Sequence, residues 1–181
     1  KIMQKKIVVL LLLLVALGIF AGDVLMSCNG KTKHQIVVPD QYPTPAAKES
    51  VTRAAILMQK CFAANQVNLE IVNESAKTPE KHGVYLGATN FAKANGVDVS
   101  KLSGWQHISK VVGKDLILTG NDAPNMIKEF AKRPYLGTLH GVSEFLYRYA
   151  GARFLQHGAD GVVFLPQSVV IIPDSLNEQR E

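Results

Sequence analysis

The chain has 181 residues, 47% of them apolar and 19% charged, with a formal net charge of +5. Those proportions exclude a disordered tail, a collagen-like chain and a coiled coil, and two cysteines are too few for a disulfide scaffold. Lys1, Lys5, Lys6 and Asp23 supply two of the five net positive charges, and the remainder is spread too thinly for a basic patch, so no nucleic-acid partner is expected.

The first 28 residues read as a leader. Three lysines precede an apolar run from Ile7 to Phe20, a charged n-region followed by an h-region of export length. Leu25-Met26-Ser27-Cys28 resembles a bacterial lipobox, which makes Cys28 the candidate lipidation site and membrane anchor; Asn29 after it fits outer-membrane sorting in a Gram-negative cell. Simple secretion and an uncleaved anchor are the alternatives. The expected location is therefore the outer membrane or cell surface as a lipoprotein, otherwise the periplasm or the medium. Residues 29–33 are polar and read as a linker.

The folded part is expected over 34–173. Ile36-Val37-Val38 reads as a strand stopped by Pro39, and Thr44-Pro45 as an N-cap with proline in the first turn. Val51, Ala54, Ala55, Met58, Cys61 and Phe62 recur at helical spacing, with Asn65 as the C-terminal cap. This places Cys61 in a core as a small buried hydrophobe. Strands follow at Asn68–Asn73 and Val84–Leu86, then a short helix over Phe91–Asn95 closed by Gly96. Trp105–Val112 and Asp115–Thr119 flank Gly113-Lys114 as a hairpin. A short helix is expected after Pro124. A longer one follows Gly137, with Leu139, Val142, Phe145, Leu146 and Tyr149 on one stripe and Gly151 as its left-handed end. Short strands over Arg153–Leu155, Val162–Leu165 and Val169–Ile172 complete the order. The expected class is α/β (α+β), a mixed sheet with two principal helices packed on it.

Motifs for chemistry are absent: the sequence has no HExxH, CxxC pair, GxSxG, P-loop or GxGxxG. No metal or cofactor is expected. His140 and Glu144 stand one helical turn apart, but a metal site needs a third ligand, so a surface pair is the reading preferred. The acids fall mostly in turns and on helix faces, where solvated surface is expected, rather than in the facing pair that glycosyl transfer uses. No catalytic residue is therefore named. Trp105, the only tryptophan, is either a core or rim residue or a carbohydrate contact.

The most specific stretch is Gly137-Thr138-Leu139-His140-Gly141-Val142-Ser143-Glu144-Phe145-Leu146, continuing to Gly151-Ala152-Arg153-Phe154-Leu155, with a strand ending at Gly120 before it and Gly161–Pro166 after it. Gly137 and Gly141 let the helix start lie close against the sheet. This stretch resembles the accessory domain N-terminal to the catalytic barrel of alpha-glucuronidases and beta-N-acetylhexosaminidase-like glycoside hydrolases. Gly137, Thr138, Leu139, Val142, Phe145, Leu146, Gly151, Arg153 and Phe154 match the family pattern. His140 and Gly141 depart from it, and the proline expected soon after Leu155 is absent. The resemblance implies a beta-N-acetylhexosaminidase-like N-terminal domain without catalytic residues of its own. It also implies a TIM-type barrel of the same parent chain as partner, and a polysaccharide substrate of the parent, with alpha-glucuronidase action on xylan as the specific expectation. Residues 174–181 would then begin the linker to that barrel, and the chain would be a fragment of a longer reading frame. The alternative is a free-standing surface lipoprotein that binds glycan or a protein partner.

Overall fold

A computed structural model describes residues 22–124, 134–156 and 161–181. Its centre is a six-stranded mixed sheet in the order β10-β5-β6-β4-β2-β3. The strands are β2 (His34–Val38), β3 (Ile71–Asn73), β4 (His82–Leu86), β5 (His107–Val112), β6 (Asp115–Gly120) and β10 (Asn177–Arg180). β3, β2, β4 and β6 pair in parallel, while β5 runs antiparallel to both β6 and β10. The parallel strands carry unbroken apolar runs, Ile36–Val38, Val84–Leu86 and Leu116–Leu118, because both faces are covered.

Helix α1 (Pro45–Ala64) opens as its sequence dictates: the Thr44 side chain accepts from the Ala47 N–H at 3.1 Å and Pro45 occupies the first turn. Its stripe of Val51, Ala54, Ala55, Met58, Cys61 and Phe62 is buried. Helix α3 (Gly137–Tyr149) packs beside it, with Val142, Phe145 and Leu146 inward. Both helices meet Ile36, Val84, Leu86, Leu116 and Leu118 in one core. Leu139 and Tyr149, expected on the core stripe, lie at its rim. The opposite face of the sheet is covered by the short helix α2 (Asn90–Ala94), whose Ala92, with Val97, packs on Val37, Tyr85 and Ile117. Tyr85 stacks on Phe91 at 4.0 Å between ring centres. A full Leu or Phe burial is worth about 1.5–3 kcal/mol, so the larger core under α1 and α3 supplies most of the stability.

Two strand pairs flank the sheet. β1 (Val24–Cys28) is antiparallel to β9 (Val169–Ile172), and β7 (Ala152–Phe154) to β8 (Val162–Phe164). Val24, Met26, Val170 and Ile172 all enter the core shared by α1 and α3. The fold thus extends past both ends of the 34–173 span. β1 lies upstream of it, 29–33 contains a tight turn, and β10 pairs with β5 from Asn177 opposite Lys110 to Arg180 opposite His107. The helix expected after Pro124, and residues 1–21 of the leader expected over 1–28, lie outside the described residues.

Candidate functional site

β2 and β4 lie side by side, yet their chains leave in opposite directions. β2 continues through α1 to the β3 edge; β4 continues through α2 toward β5 and β6, and the two helices sit on opposite faces. Open sheets form ligand crevices at such a divergence, at the carboxyl ends of the strands. A crevice of ≈ 320 Å³ occupies this place, lined by Pro39 and Tyr42 after β2, Ala88 after β4, Asp122 after β6, and Leu102.

Among the described residues Asp122 is the only acid lining the crevice, and its oxygens are committed. Oδ1 accepts from the Ser50 hydroxyl (2.6 Å) and the Thr138 N–H (2.9 Å), and Oδ2 accepts from the Thr138 hydroxyl (2.6 Å). Thr138 Oγ1 in turn accepts from Gly120 N–H at 3.1 Å, and Ser50 Oγ accepts from Leu139 N–H at 3.2 Å. Gly137 N–H donates to the Asn121 carbonyl and His140 N–H to the Leu136 carbonyl. All four leading amides of α3 are therefore paired, two of them with side chains from other elements. Burial pushes the Asp122 carboxyl above its usual range, opposed by the hydroxyl and amide donors. Reading Asp122 as a solvated turn acid is thus corrected: it is the non-local cap that joins α1, β6 and α3. Its partners stand 16 and 72 residues away in the chain, so no local pattern announces it.

Trp105 stands before β5 and is 50% exposed. Tyr135 meets it edge-on at 5.6 Å between ring centres and 89° between planes, and His140 does so at 6.5 Å and 71°. A second aromatic is thus present that sequence spacing did not reveal. The rings are nearly perpendicular, so they offer separate faces and edges rather than one flat platform.

His140 packs on the other side against His107, at 5.1 Å. Glu144, expected to pair with His140 along the helix surface, turns to His107 instead, with Nε2 and Oε2 3.0 Å apart. Glu144 also meets Arg180 at 3.1 Å, while Arg148 and Arg180 hold Glu178 at 2.6 and 2.7 Å. These contacts fasten β10 to α3. The Arg148 guanidinium, ahead of Arg180, pulls the Glu178 carboxyl down to about 2. His107 is almost fully buried, and burial lowers its pKa against the raising effect of Glu144. Among the described residues no group of three or more His, Cys, Asp or Glu is arranged to hold a metal ion.

Cys61 is buried and its thiol points at the Ala150 carbonyl, 3.4 Å away. Burial pushes the thiol up to about 12, so it packs as a small hydrophobe and is no nucleophile. Cys28 is half-buried at the end of β1, opposite Val169.

No protein-family model matches the chain, and no curated protein matches it. Among solved structures the chain is similar to CpGH84D, with a TM-score of 0.41 and 12% identity. The likeness covers 86% of this chain and 22% of that one.

Proposed function

We propose that this chain is a non-catalytic accessory domain of an exported carbohydrate-active enzyme, carried N-terminal to a catalytic barrel in the same polypeptide. The parent would cleave glycosidic bonds in a polysaccharide, most specifically as an alpha-glucuronidase on xylan. The observation that carries this reading is the mounting of α3. Of the nine residues that carry the resemblance to the accessory domains, Gly137, Thr138, Val142, Phe145 and Leu146 are buried and serve packing or backbone approach, while Phe154 is exposed. A methyl group on Gly137 would run into the Asn121 backbone nitrogen, and one on Gly120 into the Gly137 carbonyl carbon. Residues spent on seating a helix belong to a support, and Asp122 is spent in the same way. Within this reading the exposed face of Trp105 is the surface on which a sugar ring of the substrate would lie.

The test has two arms. Reading the gene past Glu181 is expected to reveal several hundred further codons with barrel-like strand–helix alternation; an immediate stop would remove the accessory role. The 181-residue chain alone is expected to turn over no aryl glycoside. Turnover abolished by replacing a single acid would make the domain an enzyme and end the proposal.

A further inference from the structure

We infer that β1 belongs to the exported, folded protein, that the Ser27–Cys28 peptide bond is not a processing site, and that any cut releasing the leader falls before Val24. The inference rests on the export reading above and concerns where the mature chain begins. Lipidation at Cys28 requires cleavage of that bond, which would leave Cys28 as the first residue. The structure shows what such a cut would discard.

Val24 and Met26 are both 0% exposed, and both contribute to the core beneath α1 and α3. β1 pairs with β9 from Val24 opposite Ile172 to Cys28 opposite Val169. Ordinary alternation turns Val24 and Met26 inward and Leu25 outward, and the bulge between Leu25 and Ser27 then breaks it, so that Ser27 is buried as well. The strand then closes on itself through a two-residue turn. Asn29 and Gly30 have φ of +48° and +76°, and Cys28 and Lys31 exchange backbone hydrogen bonds of 2.9 and 3.0 Å. Asn-Gly with both residues at positive φ is the most favoured short hairpin turn. Thr32 Oγ1 adds a bond of 2.7 Å to the Met26 carbonyl.

A cut at Ser27–Cys28 would strip β9 of its partner and remove two core side chains. It would also leave a hairpin turn with no first strand. A leader that serves this fold ends upstream, where Ala16, Gly18, Ala21 and Gly22 supply the small residues that signal cleavage uses.

The full chain with its leader, and the variants Cys28→Ser and Val24→Asp, would be expressed in a Gram-negative host with an alkyne-palmitate label. Intact mass and protease resistance are then read on each. The mature chain is expected to begin at or before Val24, carry no palmitate and be processed identically in Cys28→Ser. Val24→Asp is expected to digest at least roughly tenfold faster, because an unpaired carboxylate enters the core and the open form gains population. A mature chain that starts at Cys28 with a lipid adduct, lost in Cys28→Ser, would overturn the inference. So would a Val24→Asp chain as resistant as the parent, since Val24 would then lie outside the fold. An unprocessed chain retained in the cytoplasm would instead defeat the export reading, while the Val24→Asp digestion would still decide the place of β1.

Discussion

Leu136, the residue before α3, has no side-chain oxygen with which to cap the helix, and only its carbonyl takes part, accepting from the His140 N–H. The carboxylate of Asp122 and the hydroxyl of Ser50 supply the missing acceptors from two other elements. Asp122→Ala removes a cap worth about 1 kcal/mol and strands the buried Ser50 and Thr138 donors at about 1–3 kcal/mol more. A loss of about 3 kcal/mol is therefore expected by chemical denaturation. A loss under about 1 kcal/mol would mean that those hydroxyls find other acceptors. The raised pKa of Asp122 carries a sign. Its favourable contribution is complete below the ordinary carboxylate range and declines as pH rises through the raised folded value. The ionised form is tolerated because three donors meet it. Nothing near Asp122 in sequence foretold this, since Gly120-Asn121-Asp122 has the composition of an ordinary exposed turn.

Among the elements, α3 is the one whose placement the rest of the fold depends on. It rests on β5 and β6, touches α1, and holds β10 through Arg148 and Glu178. Its approach is close because two glycine backbones, Gly120 and Gly137, face each other, and because Gly141 leaves room for the His107 ring. Gly137→Ala places a methyl group against backbone atoms that cannot turn aside, unlike a side-chain tip. We expect a loss of about 3 kcal/mol, at the upper end of overpacking costs, measured as a fall in the urea midpoint with the slope unchanged. A neutral variant would show that the helix can shift without cost. α3 was legible in the sequence: glycines opened and closed it, and its apolar stripe had helical spacing. Gly151, expected in the left-handed region, has φ of +76°. β10 was not legible. Asn177–Arg180 is polar, and it becomes a strand only because the open edge of β5 and the arginine–glutamate contacts with α3 receive it.

At the scale of the whole molecule, two buried imidazoles set the response to acid. His34 is 3% exposed and His107 1%. The Nε2 of His34 lies 3.0 Å from the Lys114 carbonyl, and the Nε2 of His107 lies 3.0 Å from the Glu144 carboxylate. Both Nδ1 atoms are buried without a hydrogen-bond partner among the described residues. Burial depresses both pKa values. For His34 the Lys114 carbonyl and Asp115 oppose it and His82 adds to it; for His107 Glu144 opposes it and His140 adds to it. A depressed histidine contributes stability that is present above its unfolded pKa, near 6.5, and is lost as pH falls through the folded value. The melting temperature is therefore expected to drop between pH 7 and pH 5, by less in His34→Gln/His107→Gln than in the parent. Equal slopes in the two proteins would assign the acid sensitivity to other groups. Glu178 acts in the same sense at lower pH: its contribution is present above the ordinary carboxylate range and fades as pH falls toward about 2.

Local sequence pattern determined the strands β2, β4 and β6 through their unbroken apolar runs, the helices α1 and α3 through apolar stripes at helical pitch and their end signals, and the β5–β6 hairpin through its Gly113-Lys114 turn. It also determined the class, a mixed sheet carrying two principal helices. Only the tertiary structure decided that Asp122 caps a helix, that Glu144 serves His107, that Tyr135 meets Trp105, and that Asn177–Arg180 forms an edge strand. It likewise decided that Val24 and Met26, which follow the apolar run Ile7–Phe20 and merge with it when read by hydropathy, lie in the core shared by α1 and α3. Each of these pairings closes over a long stretch of chain, so what selects it is the shape and polarity of the surface waiting on the other side.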